Sequence, residues 1–153
     1  MNLLFDLEGT LIHRRGSDQD VGEALLIAML GTLKEQHRLF IITSKLEAQA
    51  RSEVAENHLN PYFSEIVGRD SYPGSATKAE TLAQLIEDKG LVDEECIIIG
   101  DRPHDMEAGR GNSICAIGVL WGNGSKAELL SGGADYLCEN FYELQANIEF
   151  LDG

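Results

Sequence analysis

Two short runs constrain the fold most. Leu39–Ile42 (Leu-Phe-Ile-Ile) and Cys96–Ile99 (Cys-Ile-Ile-Ile, followed by Gly100) are apolar without polar alternation. A strand with one wet face alternates, whereas a strand apolar on both sides has to be covered on both, as in the centre of a parallel sheet. Leu3–Phe5, Glu65–Val67, Ile114–Val119 and Asp135–Cys138 are further strand candidates. Between them lie amphipathic stretches predicted as helices: Val21–Gln36, Leu46–Asn57, Lys78–Lys89, His104–Arg110, Lys126–Leu130 and Phe141–Phe150. This βα rhythm predicts an α/β fold, a doubly wound three-layer sandwich around a central parallel sheet. Its ligands should bind beyond the carboxyl ends of the strands.

The chain has 153 residues, 43% hydrophobic and 25% charged, which suits one domain over 1–153 with a single core rather than two lobes with a cleft between them. Twelve basic against 26 acidic side chains give a net charge of −14, which repels nucleic-acid phosphates and anionic lipid, so neither is an expected partner. The charge is uneven, about −3 over residues 1–78 and −11 over 79–153, as solvated helix faces would give. Cys96, Cys115 and Cys138 are odd in number and flanked by apolar residues, so they read as buried free thiols of a reducing compartment. The opening MNLLFDLEG has no basic, long-apolar signal character, and no run reaches the length of a membrane span, so a cytoplasmic location is expected.

The strand-to-helix junctions carry helix-start chemistry. Ser44–Glu47, Thr77–Glu80 and Ser125–Glu128 each fit the S/T-x-x-E capping box, and Pro103 suits a first helical turn. Residues with chemistry gather at the same junctions. The first strand runs into Asp6-Leu7-Glu8-Gly9-Thr10, the second ends in Thr43-Ser44, Lys78 follows the loop Ser71–Ser75, and Cys96–Ile99 leads to Gly100-Asp101 with Asp105 four residues on. In a parallel sheet these ends converge, bringing Asp6, Glu8, Asp101 and Asp105 together. Carboxylates that close oppose one another's ionisation unless a cation neutralises them. An oxygen-only donor set beside phosphate-binding groups points to Mg²⁺ and to an electrostatic clamp for phosphoryl transfer.

In the order of these motifs the chain resembles the haloacid dehalogenase superfamily of phosphohydrolases, over nearly its whole length. Asp6-Leu7-Glu8-Gly9-Thr10 is similar to the family's D-x-D-G-T, with glutamate at Glu8. Leu39–Thr43 resembles the strand ending in Thr or Ser, Lys78 the motif lysine, and Gly100-Asp101 with Asp105 the G-D-x-x-x-D. Asn60–Phe63 and the segments Ile117–Gly122 and Gly133–Tyr136 are similar to the phosphoglycolate phosphatase-like branch.

The resemblance implies that Asp6 is the nucleophile, Glu8 the acid–base group, and Thr43 and Lys78 the ligands of the phosphoryl oxygens, assisted by backbone N–H groups at Leu7 and Ser44. It also implies Mg²⁺ held by Asp6, the Glu8 carbonyl, Asp101 and Asp105. Glutamate is one methylene longer than aspartate, in a class of site where a ~1 Å displacement costs on the order of 10²-fold. His13, Arg14 and Arg15 stand where the family has a flap, and Lys45 is the second choice for the phosphate lysine. His104 and Arg102, within the last motif, face either the site or solvent without a catalytic role, His37 and His58 suit helix ends, and Trp121 reads as a packing residue.

Thr10 and Thr43 are only 33 positions apart, and Leu11–Asp20 is too short for the family's helical cap. The resemblance therefore implies an uncapped site acting on a phosphorylated small molecule or macromolecule, with a possible homo-oligomer completing the lid. The competing reading is a catalytically weak or inactive protein that binds phosphate or a partner. A receiver domain needs its aspartates, hydroxyl and lysine in another strand order.

Overall fold

The computed structural model describes residues 1–12 and 19–153. Six parallel strands form one sheet: β1 (Asn2–Phe5), β2 (Arg38–Ile42), β3 (Glu65–Val67), β4 (Cys96–Gly100), β5 (Cys115–Val119) and β6 (Tyr136–Cys138), in the order β3-β2-β1-β4-β5-β6. Among the described residues six α-helices connect or follow them: α1 (Gln19–Lys34), α2 (Glu47–Glu56), α3 (Lys78–Lys89), α4 (Pro103–Gly111), α5 (Lys126–Gly132) and α6 (Phe141–Asp152). Short 3₁₀ turns at Asn60–Tyr62 and Asp93–Glu95 precede β3 and β4, where the sequence pattern gave no element.

Strand periodicity sorts the core into two layers. Leu3, Phe5, Leu39, Ile41, Ile97, Ile99, Ile117 and Val119 pack on one face with Leu26, Leu30 and Leu33 of α1, Ala50 and Val54 of α2, and Leu144 and Ile148 of α6. Leu4, Phe40, Ile42, Ile98 and Ala116 pack on the other with Leu82 and Leu85 of α3, Met106 and Ala108 of α4, and Leu129 of α5. This explains why β1, β2 and β4 carry apolar residues without alternation, and it is the doubly wound sandwich the sequence predicts.

The strand order reverses between β1 and β4. From β1 the chain steps outward to β2 and β3, then crosses to β4 and steps the other way. The crevice at such a reversal is where doubly wound sheets bind ligands. Asp6 follows β1 and Asp101 follows β4, and Asp6 N donates to Ile99 O at 2.9 Å, which holds the two strand ends side by side. Between the first turn and α1, only positions 13–18 lie outside the described residues, too few for a cap at that point.

Helix starts follow the capping rules in two of three cases. Thr77 Oγ1 accepts from Glu80 N at 3.1 Å, and Ser125 with Glu128 forms the reciprocal box, with bonds of 3.1 and 3.0 Å. Ser44 does not cap. Lys45 N donates to Thr43 Oγ1 at 3.2 Å and Lys45 O accepts from Arg69 N at 2.9 Å, which keeps the chain non-helical through Leu46. The first N–H of α2, that of Glu47, instead donates to Asp70 Oδ1 at 2.8 Å, from 23 residues further on. The Glu47 carboxylate accepts from Ser71 Oγ at 2.7 Å and Arg51 Nε at 3.1 Å rather than reaching back to Ser44.

Gly68 locks these two loops together, since a β-carbon there would overlap the backbone of Glu47 and Lys45. Gly68→Ala should cost about 1–3 kcal/mol, as overpacking does, and lower the midpoint of thermal unfolding by roughly 2–12 °C. Circular dichroism melts check this, and an unchanged midpoint would show that the loops yield.

Candidate active site

Five loops at the carboxyl edge of the sheet build the site. Asp6 enters from β1, and the turn after it is closed by Leu11 N and Ile12 N donating to Leu7 O at 2.9 and 3.0 Å. Gly9 sits at φ +83°, a left-handed conformation, and a β-carbon there would strike the Asp101 carboxylate, so glycine is needed for both backbone and space. Thr10 Oγ1 donates to Asp101 Oδ1 at 3.3 Å. Trp121 Nε1 donates to Thr10 O at 3.0 Å while its ring packs edge-on against Phe141, with centroids 4.8 Å apart. Trp121 is thus a packing residue that also pins the turn after Asp6.

Asp101 is fully buried, and its Oδ2 accepts from Asn123 N at 2.8 Å and Asn123 Nδ2 at 3.2 Å. Asp105, also fully buried, lies in the first turn of α4, where its Oδ2 accepts from Arg102 N at 3.1 Å. Lys78, from the start of α3, lies between two of these acids: its Nζ is 2.9 Å from Asp6 Oδ1 and 2.5 Å from Asp105 Oδ1. Burial pushes the Lys78 ammonium down, but Asp105 and Asp6 outweigh it and hold its pKa above the usual lysine range. Loss of water around Asp101 pushes its carboxyl up, and the charge of Asp6 adds to that, against the pull of the Asn123 N–H.

Carboxylate oxygens of Asp6, Asp101 and Asp105 all lie within 4.8 Å of one another. One ammonium against these three buried carboxylates leaves a charge of about minus two, and every donor is an oxygen. That is the donor set and charge a small divalent cation fits.

The carboxylate of Glu8 pairs with Lys45, with Oε2 3.3 Å from Nζ. Lys45 in turn contacts Glu53 Oε1 and Oε2 at 2.6 and 2.9 Å. The two lysines therefore occupy different places, Lys78 among the aspartates and Lys45 beside Glu8. Thr43 is buried at the end of β2, and Ser44 is exposed next to it. Leu7 is buried, and its carbonyl closes the first turn.

Other candidates fall outside the cluster. His104 is exposed, with Nε2 3.7 Å from Asp105 Oδ1, and Arg102 is exposed. His37 is buried at the opposite end of the sheet, where β2 begins, and burial pushes its pKa down. His58 follows α2 in a left-handed conformation, φ 57°. His13, Arg14 and Arg15 lie outside the described residues. The three cysteines are unbridged, and burial lifts the Cys96 and Cys115 thiols to about 11, away from thiolate chemistry.

Sequence reasoning missed Asn123 and Glu53. The Gly122-Asn123-Gly124 tripeptide after β5 was the available signal for the first: side chains at either glycine would collide with Asp101. Glu53 carries no local signal, since an acid within α2 reads as a solvated face.

A family model, haloacid dehalogenase-like hydrolase, matches residues 25–119. A 5'-nucleotidase of Pseudomonas aeruginosa is 31% identical over 125 residues, covering 82% of this chain and 55% of that protein. Pyrophosphatase PpaX of Listeria monocytogenes is 24% identical over 119 residues, covering 78% of this chain and 55% of the relative. The chain thus spans about half the length of the curated relatives it matches. Among solved structures, a haloacid dehalogenase-like hydrolase from Streptococcus pneumoniae superposes with a TM-score of 0.81 at 22% identity, covering 96% of this chain and 97% of that one. A predicted phosphatase from Clostridium acetobutylicum gives 0.82 at 22%, covering 97% and 98%. At that identity the likeness concerns the fold.

Proposed function

We propose that this chain, which belongs to the haloacid dehalogenase-like hydrolase family, is a Mg²⁺-dependent phosphatase that cleaves phosphomonoesters through a phosphoryl group carried on Asp6. The observation that carries the reading is Lys78 fixed between Asp6 and Asp105 with Asp101 alongside, at the reversal of strand order. The similarity to a 5'-nucleotidase and a pyrophosphatase supports a phosphorylated substrate.

Asp6, Asp101, Asp105 and the backbone carbonyl of Glu8 would hold Mg²⁺, which when bound offsets the negative charge of the acids and of the phosphoryl oxygens. Asp6 attacks phosphorus with a carboxylate oxygen as the ester P–O bond breaks, and Glu8 gives its proton to the departing oxygen. Glu8, now ionised, takes a proton from water as that water attacks the same phosphorus. The bond to Asp6 breaks and phosphate leaves, restoring both carboxyl groups. Lys78 anchors Asp6 and offers its charge to the transferring oxygens, with Thr43 and the N–H groups at Leu7 and Ser44 beside them.

With Leu11–Asp20 too short for a lid, the site stays open and accepts bulky esters, or a second copy covers it. Among the described residues, no helix is long and apolar enough to cross a membrane. The test is phosphate release from a panel of phosphomonoesters with and without Mg²⁺. Turnover that needs the metal supports the reading, and none on any ester opposes it.

The raised carboxyl of Asp101 sets a pH dependence. Its proton is held more tightly folded than unfolded, so ionising it costs the metal-free fold stability as pH climbs from the ordinary carboxylate value, about 4, to the raised one. Mg²⁺ binds the ionised form, so protons compete with it in acid. Mg²⁺ at about 100 times its dissociation constant should stabilise the protein by roughly 2.7 kcal/mol near pH 7.5, about 5–11 °C in midpoint, and clearly less near pH 5. Thermal melts at both pH values check this. Equal shifts, or a shift surviving in Asp101→Asn, would contradict it.

A further inference from the structure

We propose that Lys45 is the positioning residue of Glu8, an inference resting on the acid–base role assigned to Glu8 above. A glutamate has one more rotatable bond than an aspartate, so its carboxylate reaches more positions. Here a cation narrows the choice. Lys45 Nζ lies 3.3 Å from Glu8 Oε2, and its other partner, Glu53, holds it at 2.6 and 2.9 Å from a fixed place on α2.

The backbone of Lys45 is fixed as well. Its N–H donates to the hydroxyl of Thr43 at 3.2 Å, and its carbonyl accepts from Arg69 N at 2.9 Å. The lysine is thus tied at one end to the residue that closes β2 and at the other to the acid–base group. Glu53 also argues against Lys45 as the phosphate anchor: two short contacts engage its ammonium on the α2 side, while Lys78 holds the place among the aspartates. The side chains of Lys45, Glu8 and Glu53 are 23, 36 and 28% exposed, so water screens the pair and its contribution is to placement rather than to stability.

The reach of the pair is specific to glutamate. An aspartate at position 8 would end about one C–C bond short, and the contact with Lys45 would open. In a site where a displacement of ~1 Å costs on the order of 10²-fold, the contact with Lys45 is what places the longer side chain.

Two aryl esters test this, because p-nitrophenolate leaves without a proton whereas phenolate needs one from Glu8. The measurement is kcat/KM, which reports the first phosphoryl transfer, for phenyl phosphate and p-nitrophenyl phosphate with Mg²⁺. Lys45→Met should lower the value for phenyl phosphate about tenfold or more while changing that for p-nitrophenyl phosphate less than about threefold. Lys45→Arg should restore most of the loss. In a Glu8→Asp background, Lys45→Met should leave the ratio of the two esters within about twofold. Thermal melts of every variant exclude misfolding as the cause.

Equal losses on both esters, no loss on either, or the same ester-selective loss in the Glu8→Asp background would each overturn the role of Lys45. If wild-type protein turns over both esters and Asp6→Asn abolishes this, such a result leaves the phosphatase reading standing. If wild-type protein turns over neither ester, that reading falls and the role of Lys45 with it.

Discussion

Asp6→Asn should abolish phosphate release, by on the order of 10⁴- to 10⁶-fold, which is what removing a covalent nucleophile costs. The amide has the shape of the carboxylate and still accepts from Lys78 Nζ, 2.9 Å away, so the fold should survive. Indeed it should melt higher than wild type without Mg²⁺, because one of three crowded carboxylates is gone and Asp101 ionises against less charge. A variant both inactive and more stable separates loss of chemistry from loss of structure. Phosphate release assayed with Mg²⁺, together with metal-free melts, checks both parts. Residual activity above about 1% of wild type would mean that another group forms the bond to phosphorus.

Lys78→Met should have the largest effect on stability. Its ammonium is buried between Asp6 and Asp105, with side chains 4, 9 and 0% exposed. Methionine fills similar space but leaves those carboxylates without a cation. Breaking a buried pair from one side costs about 3–5 kcal/mol, or roughly 6–20 °C in a chain of this size. Activity should fall below detection at the same time. Adding Asp105→Asn to Lys78→Met should recover part of the midpoint without recovering turnover, since it removes the stranded charge and not the missing one. Denaturant melts of the single and double variants measure this. If Lys78→Met is as stable as wild type, the lysine does not neutralise the cluster.

The architecture was legible because the physics is local and periodic. Apolar runs without alternation marked β2 and β4, and amphipathic stretches marked the helices between strands, with ends off by only a few residues, as at α1, which ends at Lys34 rather than Gln36. The convergence of Asp6, Lys78, Asp101 and Asp105 was legible for a related reason: each follows a strand or lies in the first turn of a helix at the edge where a parallel sheet gathers its strand ends. What sequence could not give was partnership at long range. Asp70 takes the capping place expected of Ser44 because the β2 and β3 loops lock across Gly68, a contact with no pattern in either segment. Asn123 reaches Asp101 from the loop after β5, and Glu53 reaches Lys45 across a turn of chain and most of a helix. Such contacts depend on where loops meet in space, which spacing along the chain does not encode.

Trapping a phosphoryl group on Asp6 tests the proposed covalent step itself. Glu8→Gln retains the nucleophile and should still react with p-nitrophenyl phosphate, whose leaving group needs no proton, but it lacks the base that activates water. Mixed rapidly with that ester and Mg²⁺, the variant should release a burst of about one p-nitrophenolate per chain. Acid quenching and peptide mass analysis should then find a single phosphoryl group on the peptide bearing Asp6, and none in an Asp6→Asn, Glu8→Gln double variant. Steady turnover by wild type without any phosphoryl group on that peptide in the trapped variant, or a phosphoryl group on a different residue, would contradict the mechanism. Phosphate binding with no burst and no turnover by either protein would instead identify a binding module built on the same fold.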